Sequence, residues 1–330
     1  MRRLVRVRRT RAPETSVSLW VALLALALGL VLLVRAADLF VVAAEGVALH
    51  RRWSPAVIGA VVVGFGTSLP ELVTSLLAAW RGEPDLAIGN AAGSNVANLL
   101  LILGVAALVV PVRGGADQRP TRDALVAGGA GVLLLVCSLD GTIGPLDGAV
   151  LVAALLGAVV WQVRVGRGAR LEVDVEVPRG RLGWRLAAGL VGVLVGAQLL
   201  VEGATNLAED AGVPAIVIGS VLVAVGTSLP ELATAIASAR RGQTQLLLGN
   251  LFGSNAFNAL MVVGGSALVA TVRDDPLPVD TPALAVVAAA AVVTVVAGVV
   301  LARRPSVSRP VGAVLVALHL ASVPVLLAIS

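Results

Sequence analysis

The chain alternates long apolar runs with short polar breaks, and this pattern predicts membrane-spanning helices. The runs consist mainly of Ala, Val, Leu and Gly, and the breaks carry Pro, Gly and charge. Runs of about 17–25 apolar residues are long enough to cross a bilayer core of about 30 Å as helices. The ten predicted spans lie near 17–44, 56–80, 86–110, 124–139, 145–163, 184–208, 214–239, 245–272, 281–302 and 311–329.

Composition supports a membrane protein. Hydrophobic residues make up 58% of the 330 positions and charged residues 14%, against about 45–50% and 25% in soluble domains. The composition excludes a soluble enzyme and a nucleic-acid-binding protein, since the arginines behind the pI of about 11.1 lie between apolar runs. A single cysteine excludes a disulfide-rich secreted domain.

The longest break is Arg-rich and separates five spans from five. We therefore divide the chain into a basic tail (1–16), a first half (17–163), a cytoplasmic linker (164–183) and a second half (184–330).

The arginines also predict orientation, because they accumulate in cytoplasmic loops. Alternate breaks on the side of the central linker carry 16 Arg, with Arg185 at the edge of the sixth span included, and the other side carries 8, of which 6 fall in the first eleven residues. This predicts a multi-pass plasma-membrane protein with a cytoplasmic central linker and both termini outside. The basic N-terminus argues against that orientation, and either a misassigned start or a local exception would explain it.

An internal repeat dominates the sequence. Residues 59–104 align without a gap on residues 219–264, with 23 of 46 positions identical. The matches include the polar and special residues, so low complexity does not explain them. The first copy contains Gly66-Thr67-Ser68-Leu69-Pro70-Glu71 and Gly89-Asn90 followed by Gly93-Ser94-Asn95 and Asn98, which the second copy repeats 160 residues later.

The two copies begin five spans apart. An odd number of crossings reverses the chain direction, so the copies run antiparallel through the membrane, as in inverted-repeat transporters. The sequence therefore predicts an all-α membrane protein with ten transmembrane helices in two inverted five-helix repeats, and a site near the midplane.

Two carboxylates lie inside these apolar runs. A carboxylate at the bilayer centre is costly, so Glu71 and Glu231 are expected to face a polar cavity. The alternative is a structural pairing with arginine, but the first arginines after the two carboxylates are Arg81 and Arg240.

Oxygen-bearing groups surround each carboxylate. Pro70 and Pro230 lack the N–H that would bond the carbonyl four residues earlier. Residues four apart share a helix face, which groups Ser94 with Asn98. The alternative role for these side chains is hydrogen bonding between helices, and both readings stay open for Asn90, Asn95, Asn250 and Asn255.

Such a set of oxygen ligands suits Ca²⁺, and Na⁺ equally. It does not suit zinc or copper, which favour nitrogen and sulfur ligands. We expect no cofactor beyond the transported Ca²⁺ and Na⁺.

The paired motifs resemble the two α-repeats of the sodium/calcium exchangers of the cation/calcium antiporter superfamily. The resemblance implies alternating access, in which spans one and six slide past a core that holds the ions. It also implies ion ligands at Gly64, Thr67, Ser68, Glu71, Ser94 and Asn98, and at Ala224, Thr227, Ser228, Glu231, Ser254 and Asn258.

One departure concerns the amides. Some prokaryotic and potassium-dependent relatives carry Asp at one of the two Asn positions, whereas Asn98 and Asn258 are both amides here. The pocket then has two formal negative charges, which suits Ca²⁺ but leaves the number of coupled Na⁺ and any K⁺ requirement open.

The sequence therefore predicts a secondary antiporter that exports Ca²⁺ in exchange for Na⁺, with H⁺/Ca²⁺ exchange as the alternative. An intramembrane hydrolase using Ser68 or Ser228 lacks a nearby base in either motif. A passive channel could use the same oxygens, although the paired carboxylates argue against it. The expected partners are the lipid bilayer and the transported ions, without nucleic acid or a protein partner.

Overall fold

The computed structural model describes residues 19–113, 120–166, 181–211, 224–272, 276–304 and 306–329. The predicted basic tail, most of the predicted linker and the start of the predicted seventh span lie outside these residues. The described part is helical except for two short strands, isolated bridge residues and the connecting turns.

The helices and strands follow the predicted apolar runs to within a few residues at most ends. The first half forms α1 (Leu19–Arg51), α2 (Pro55–Ile58), π1 (Gly59–Gly64), α3 (Phe65–Thr67), α4 (Leu69–Arg81), α5 (Pro84–Ala97), π2 (Asn98–Ile102), α6 (Leu103–Val109), α7 (Thr121–Cys137), β1 (Thr142–Ile143) and α8 (Pro145–Gly166). The second half forms α9 (Leu182–Asp210), α10 (Ala224–Thr227), α11 (Leu229–Arg240), α12 (Thr244–Phe257), π3 (Asn258–Val262), α13 (Val263–Thr271), β2 (Leu277–Pro278), α14 (Thr281–Arg303) and α15 (Arg309–Ile329).

Some boundaries differ from the prediction. Helix α1 continues to Arg51, and its last turn carries His50 and Arg51, where positive charge complements the helix dipole. Helix α8 continues to Gly166 and α9 begins at Leu182, so both enter the predicted linker.

Six helices in the described part are long and apolar enough to cross a membrane. They are Leu19–Arg51, Pro84–Val109, Pro145–Gly166, Leu182–Asp210, Thr244–Thr271 and Thr281–Arg303. The pair Pro55–Thr67 and Leu69–Arg81 makes a seventh if it is counted as one bent span. The predicted all-helical architecture is thereby confirmed.

The repeated motif breaks its helix in both halves. The chain bends by 47° between α3 and α4, at Ser68, whose backbone (φ −84°, ψ 11°) is no longer helical. Ser228 interrupts the second half in the same way before α11. In both helices a proline follows in the first turn, where its missing N–H costs nothing. Each motif glutamate therefore lies in the first turn of a new helix.

Helices α1 and α9 pack backbone to backbone along much of their length. A Cβ built on Gly196 would lie 2.6 Å from the Leu33 nitrogen, and one built on Gly189 would lie 2.7 Å from the Phe40 Cα. Only glycine allows so close an approach at these two positions, which makes the α1–α9 pair a tightly joined unit.

Helix α12 lies at the centre of the molecule. Of its 14 residues, 13 are buried, and it packs directly on α2 and π1. A Cβ on Gly249 would overlap the Ala56 carbonyl, and one on Gly253 would overlap Ala60. Around this centre α7 packs on α14, α6 on α15 and α8 on α13.

Short antiparallel pairings join loops at the helix ends. In one, β1 pairs with β2, with Thr142 opposite Pro278 and Ile143 opposite Leu277. In the other, Val112 and Val307 form an isolated bridge. Both pairings tie a loop of the first half to a loop of the second.

Candidate ion-binding site

Both motif glutamates are buried in the centre of the protein. Glu71 and Glu231 each expose 1% of their surface, and they lie in the first turns of α4 and α11. The positive end of a helix dipole favours a carboxylate there. The breaks at Ser68 and Ser228 thus give each buried carboxylate a helix N-terminus.

The two repeats exchange contacts across the site. The Ser68 hydroxyl donates a hydrogen bond of 2.9 Å to Glu231 Oε1. Thr67 also interacts with Glu231, and its counterpart Thr227 interacts with Glu71. The two carboxylates are close enough to repel each other. The motifs, 160 residues apart in sequence, therefore meet at one point.

Four buried oxygens of the predicted ligands have no hydrogen-bond partner within the described part of the chain. They are Glu71 Oε2, Glu231 Oε2, Asn98 Oδ1 and Asn258 Oδ1. Leaving a buried polar atom unpaired costs about 1–3 kcal/mol. Two carboxylate and two amide oxygens with free lone pairs form a donor set that suits a hard cation.

The backbone adds a carbonyl to the same network. Ser254 Oγ donates to the Gly64 carbonyl at 3.1 Å, and Thr67 Oγ1 donates to it at 3.2 Å. Gly64 is the last residue of π1, and its predicted counterpart Ala224 is the first residue of α10.

The structure therefore joins seven of the twelve predicted residues by direct hydrogen bonds or side-chain interactions, either with a carboxylate or with one another. Of the others, Ser94, Ser228, Asn98 and Asn258 are buried on the helices that carry or adjoin the motifs. The joined group comprises Gly64, Thr67, Ser68, Glu71, Thr227, Glu231 and Ser254.

A π-helical segment begins at each of the two amide residues of the predicted set. Asn98 is the first residue of π2 and Asn258 the first residue of π3. Such wide turns are rare and occur often at functional sites. Neither π segment was predicted from the sequence, in which the only indication of them is the repeated asparagine.

Asn98 Nδ2 donates to Asn255 Oδ1 at 2.9 Å, and the other four motif asparagines also hydrogen-bond within the protein. Asn95 Nδ2 donates to the Asn255 carbonyl at 3.1 Å, and Asn255 Nδ2 donates to the Asn95 carbonyl at 3.0 Å. Asn90 Nδ2 donates to Ser75 Oγ at 2.9 Å, and Asn250 Nδ2 donates to Thr234 Oγ1 at 3.1 Å. Of the two roles left open for them, the structure supports hydrogen bonding between helices.

Sequence reasoning also missed two polar pairs outside the site. Arg241 Nε donates to Glu45 Oε1 at 3.0 Å, which links α1 to the end of α11. Gln162 Nε2 donates to Asp123 Oδ1 at 3.1 Å, which links α8 to α7. Among the residues placed by the structure, no three His, Cys, Asp or Glu side chains cluster as a metal site.

Comparison with known proteins identifies the family of this chain. The sodium/calcium exchanger protein family profile matches residues 21–164 and 182–328, which is most of the chain. The chain belongs to the sodium/calcium exchanger family. This match confirms the resemblance based on the two motifs. Members of the family are membrane transporters rather than enzymes.

Named relatives agree with this family assignment. The putative antiporter CaxA of Alkalimonas amylolytica is 36% identical over 262 residues, which cover 76% of this chain and 81% of CaxA. The sodium/calcium exchanger MaX1 of Methanosarcina acetivorans is 31% identical over 288 residues, covering 74% and 82%.

Solved structures of the sodium-calcium exchanger NCX_Mj have the same exchanger fold. The form soaked with 10 mM Na⁺ and no Ca²⁺ superposes with a TM-score of 0.81 at 31% identity, covering 93% of this chain and 99% of NCX_Mj. The form soaked with 10 mM Na⁺ and 10 mM Sr²⁺ gives a TM-score of 0.81 at 32% identity, with the same coverage.

Proposed function

We propose that this protein exports Ca²⁺ in exchange for Na⁺ by alternating access. The observation that carries the proposal is the meeting of two buried carboxylates with unpartnered oxygens, contributed by two copies of one motif. Family membership and the solved sodium-calcium exchanger NCX_Mj favour Na⁺ as the driving ion.

The proposed ion ligands are the twelve residues predicted from the motifs. Ca²⁺ takes 6–8 oxygen ligands, and the two carboxylates would balance its charge. Na⁺ would compete for the same oxygens, so that a loaded pocket can reorient with either ion. The set comprises Gly64, Thr67, Ser68, Glu71, Ser94, Asn98, Ala224, Thr227, Ser228, Glu231, Ser254 and Asn258.

Two inverted repeats of five helices are the proposed architecture around this site. Interactions that recur with the repeats exchanged support it, above all the reciprocal Asn95–Asn255 bonds. The closely packed α1–α9 pair would slide as one body past the core.

We place the protein in the plasma membrane with its central loop in the cytoplasm and its termini outside. The distribution of arginine supports this orientation. The transported ions are the only ligands in this proposal, which requires no cofactor and no protein or nucleic-acid partner.

The test is Ca²⁺ uptake into vesicles that contain the purified protein. Separate preparations are loaded with Na⁺, with acid or with neither, and protein-free vesicles serve as the blank. We expect uptake driven by outward Na⁺ alone. Uptake driven only by the pH gradient would instead establish H⁺/Ca²⁺ exchange at the same site. No uptake by correctly folded protein under either gradient would overturn Ca²⁺ exchange.

A further inference from the structure

An apolar groove runs along one side of α14 and opens at the surface of the helix bundle. Its volume is about 430 Å³, and residues of α14, of π2 and of α15 line it. Representative lining residues are Leu100, Val293, Val296, Ala297, Leu315 and Leu318. A groove of this character on a membrane protein opens toward hydrocarbon.

The length of the groove along α14 is close to the thickness of one leaflet. Along α14 it extends from Val292 to Leu301, which at 1.5 Å per residue is about 14 Å. Half of a hydrocarbon core of about 30 Å is about 15 Å. A groove of this length that began at the membrane surface would therefore reach to about the midplane.

Positive charge lies at the surface end of the groove. Arg303 closes α14 and Arg304 follows it, and both are exposed. No carboxylate in the described ranges lies within 4 Å of either guanidinium. Arg309, at the start of α15, donates to the Leu108 carbonyl at 3.1 Å, which fixes a third guanidinium at this end.

A second groove lies beside α14, against α7, and extends toward the same end of α14. Its volume is about 360 Å³, and it extends along α14 from Val295 to Ala302. Gly298 and Gly128 line it, so small residues leave this space between the two helices. Both apolar grooves thus extend toward the end of α14 that carries Arg303 and Arg304.

We propose that this region binds an anionic phospholipid, with an acyl chain in the groove between α14 and α15 and the phosphate at Arg303 and Arg304. Arginine binds phosphate oxygens with two parallel N–H donors. Basic pockets between helices at a membrane surface attract anionic headgroups. The uncharged groove alone would accept any acyl chain, so selectivity for the lipid comes from the arginines.

The experiment measures lipid selectivity in nanodiscs that contain the full chain. Spin-labelled phosphatidylglycerol and spin-labelled phosphatidylcholine are compared by the motionally restricted fraction of the electron paramagnetic resonance spectrum. We expect a preference for phosphatidylglycerol that falls about tenfold in R303Q/R304Q, because each arginine near the surface adds attraction for an anion. The matched control is R51Q/R52Q, which removes two adjacent exposed arginines at the end of α1.

A second variant tests the groove itself. Ala297→Phe fills it, and we expect it to lower the restricted fraction of both lipids, whereas Ala153→Phe on the exposed face of α8 leaves that fraction unchanged. Equal restriction of the two lipids in the unaltered protein, or a preference that survives R303Q/R304Q, would overturn the proposal. So would conversion of a dimer to a monomer by Ala297→Phe, because a second copy of the chain would then occupy the groove.

Discussion

The two oxygens of the Glu231 carboxylate differ in their hydrogen bonding. Ser68 holds Glu231 Oε1, while Oε2 of the same carboxylate is without a partner in the described structure. One oxygen therefore fixes the side chain, and the other is available to an ion. Glu71 Oε2 is likewise available, so the pocket presents a free carboxylate oxygen from each repeat.

Glu71→Gln and Glu231→Gln should each abolish Ca²⁺ uptake. Either substitution removes one of the two negative charges that balance Ca²⁺ and replaces a carboxylate oxygen by an amide nitrogen that repels a cation. We expect a loss of at least a hundredfold in ⁴⁵Ca²⁺ uptake, with normal membrane insertion.

The control is Glu83→Gln, which makes the same chemical change at an exposed residue before α5. Wild-type uptake in either buried variant would contradict the assignment of the site.

Asn258→Asp should alter the dependence on Na⁺ or K⁺ more than the affinity for Ca²⁺. The substitution adds a third formal negative charge to the pocket, which Ca²⁺ does not need but a further monovalent cation would. The Na⁺ Hill coefficient and the effect of external K⁺ on uptake measure the change. Asn206→Asp on α9 is the matched control, and identical ion dependence in Asn258→Asp and wild type would argue that the amide has no role in coupling.

Much of the site could be predicted at the residue scale, because the repeat singled out the buried carboxylates and their hydroxyl neighbours. The partners of individual atoms could not be predicted. Nothing in the sequence indicates that Ser68 bonds the glutamate of the other repeat, or that Asn95 and Asn255 bond each other. Such partners depend on how two distant segments are placed in space.

At the element scale, Pro70 and Pro230 predict where the two motif helices break. The bend of 47° at Ser68 follows from Pro70, and it brings a helix N-terminus to Glu71. The π segments were not predictable in the same way, because a wide turn changes backbone pairing without requiring a particular residue.

Gly253→Ala should destabilise the protein. A Cβ at this position would overlap Ala60 in π1, and the site carbonyl of Gly64 ends the same segment. Overpacking of this kind costs about 1–3 kcal/mol, so we expect a lower Tm by differential scanning fluorimetry and weaker Ca²⁺ uptake. Gly157→Ala is the matched control, since a Cβ there meets nothing within 4 Å among the described atoms. Equal Tm values for the two variants would mean that π1 and α12 pack less closely than described.

The Glu45–Arg241 ion pair should favour one access state. It joins α1 to the chain that follows α11, so a sliding α1 must break it in the other state. The pair is partly exposed and is worth at most about 1 kcal/mol. Glu45→Gln should therefore change the ratio of Ca²⁺ affinities on the two membrane sides by about fivefold or less, as measured in oriented vesicles.

Two further variants test whether the effect of Glu45 depends on its ion pair with Arg241. Glu45→Arg combined with Arg241→Glu should restore the ratio of affinities, whereas Arg240→Gln, next to the pair, should leave it unchanged. A ratio that the charge exchange fails to restore would show that Glu45 acts through something other than Arg241.

At the scale of the whole molecule, the sequence predicted the all-helical architecture because each helix needs an apolar run. The sequence did not indicate which helices face lipid. The span Thr244–Thr271 is 94% buried over its most apolar window, whereas Leu19–Arg51 is 22% buried, yet the buried span is the less apolar of the two, with a mean hydropathy of 1.5 against 2.5. Burial on all sides is a property of the assembled bundle, and hydropathy does not record it.

Orientation can be tested with single cysteines in a Cys137→Ala background. Glu83→Cys and Ser308→Cys place exposed thiols in breaks on opposite predicted sides. With a membrane-impermeant maleimide on intact cells, we expect labelling at position 83 and not at position 308. Labelling at position 308 alone would reverse the proposed topology without affecting the site.

The reciprocal Asn95–Asn255 bonds have a consequence for the origin of the chain. Each side chain donates to the backbone of the other, which is the form of a contact between identical subunits about a twofold axis. A half-length ancestor with one motif could have made both bonds with a second copy of itself inserted the opposite way round. Fusion of two such genes would preserve the contact, and afterwards neither asparagine could be lost without leaving a buried partner group of the other half unpaired.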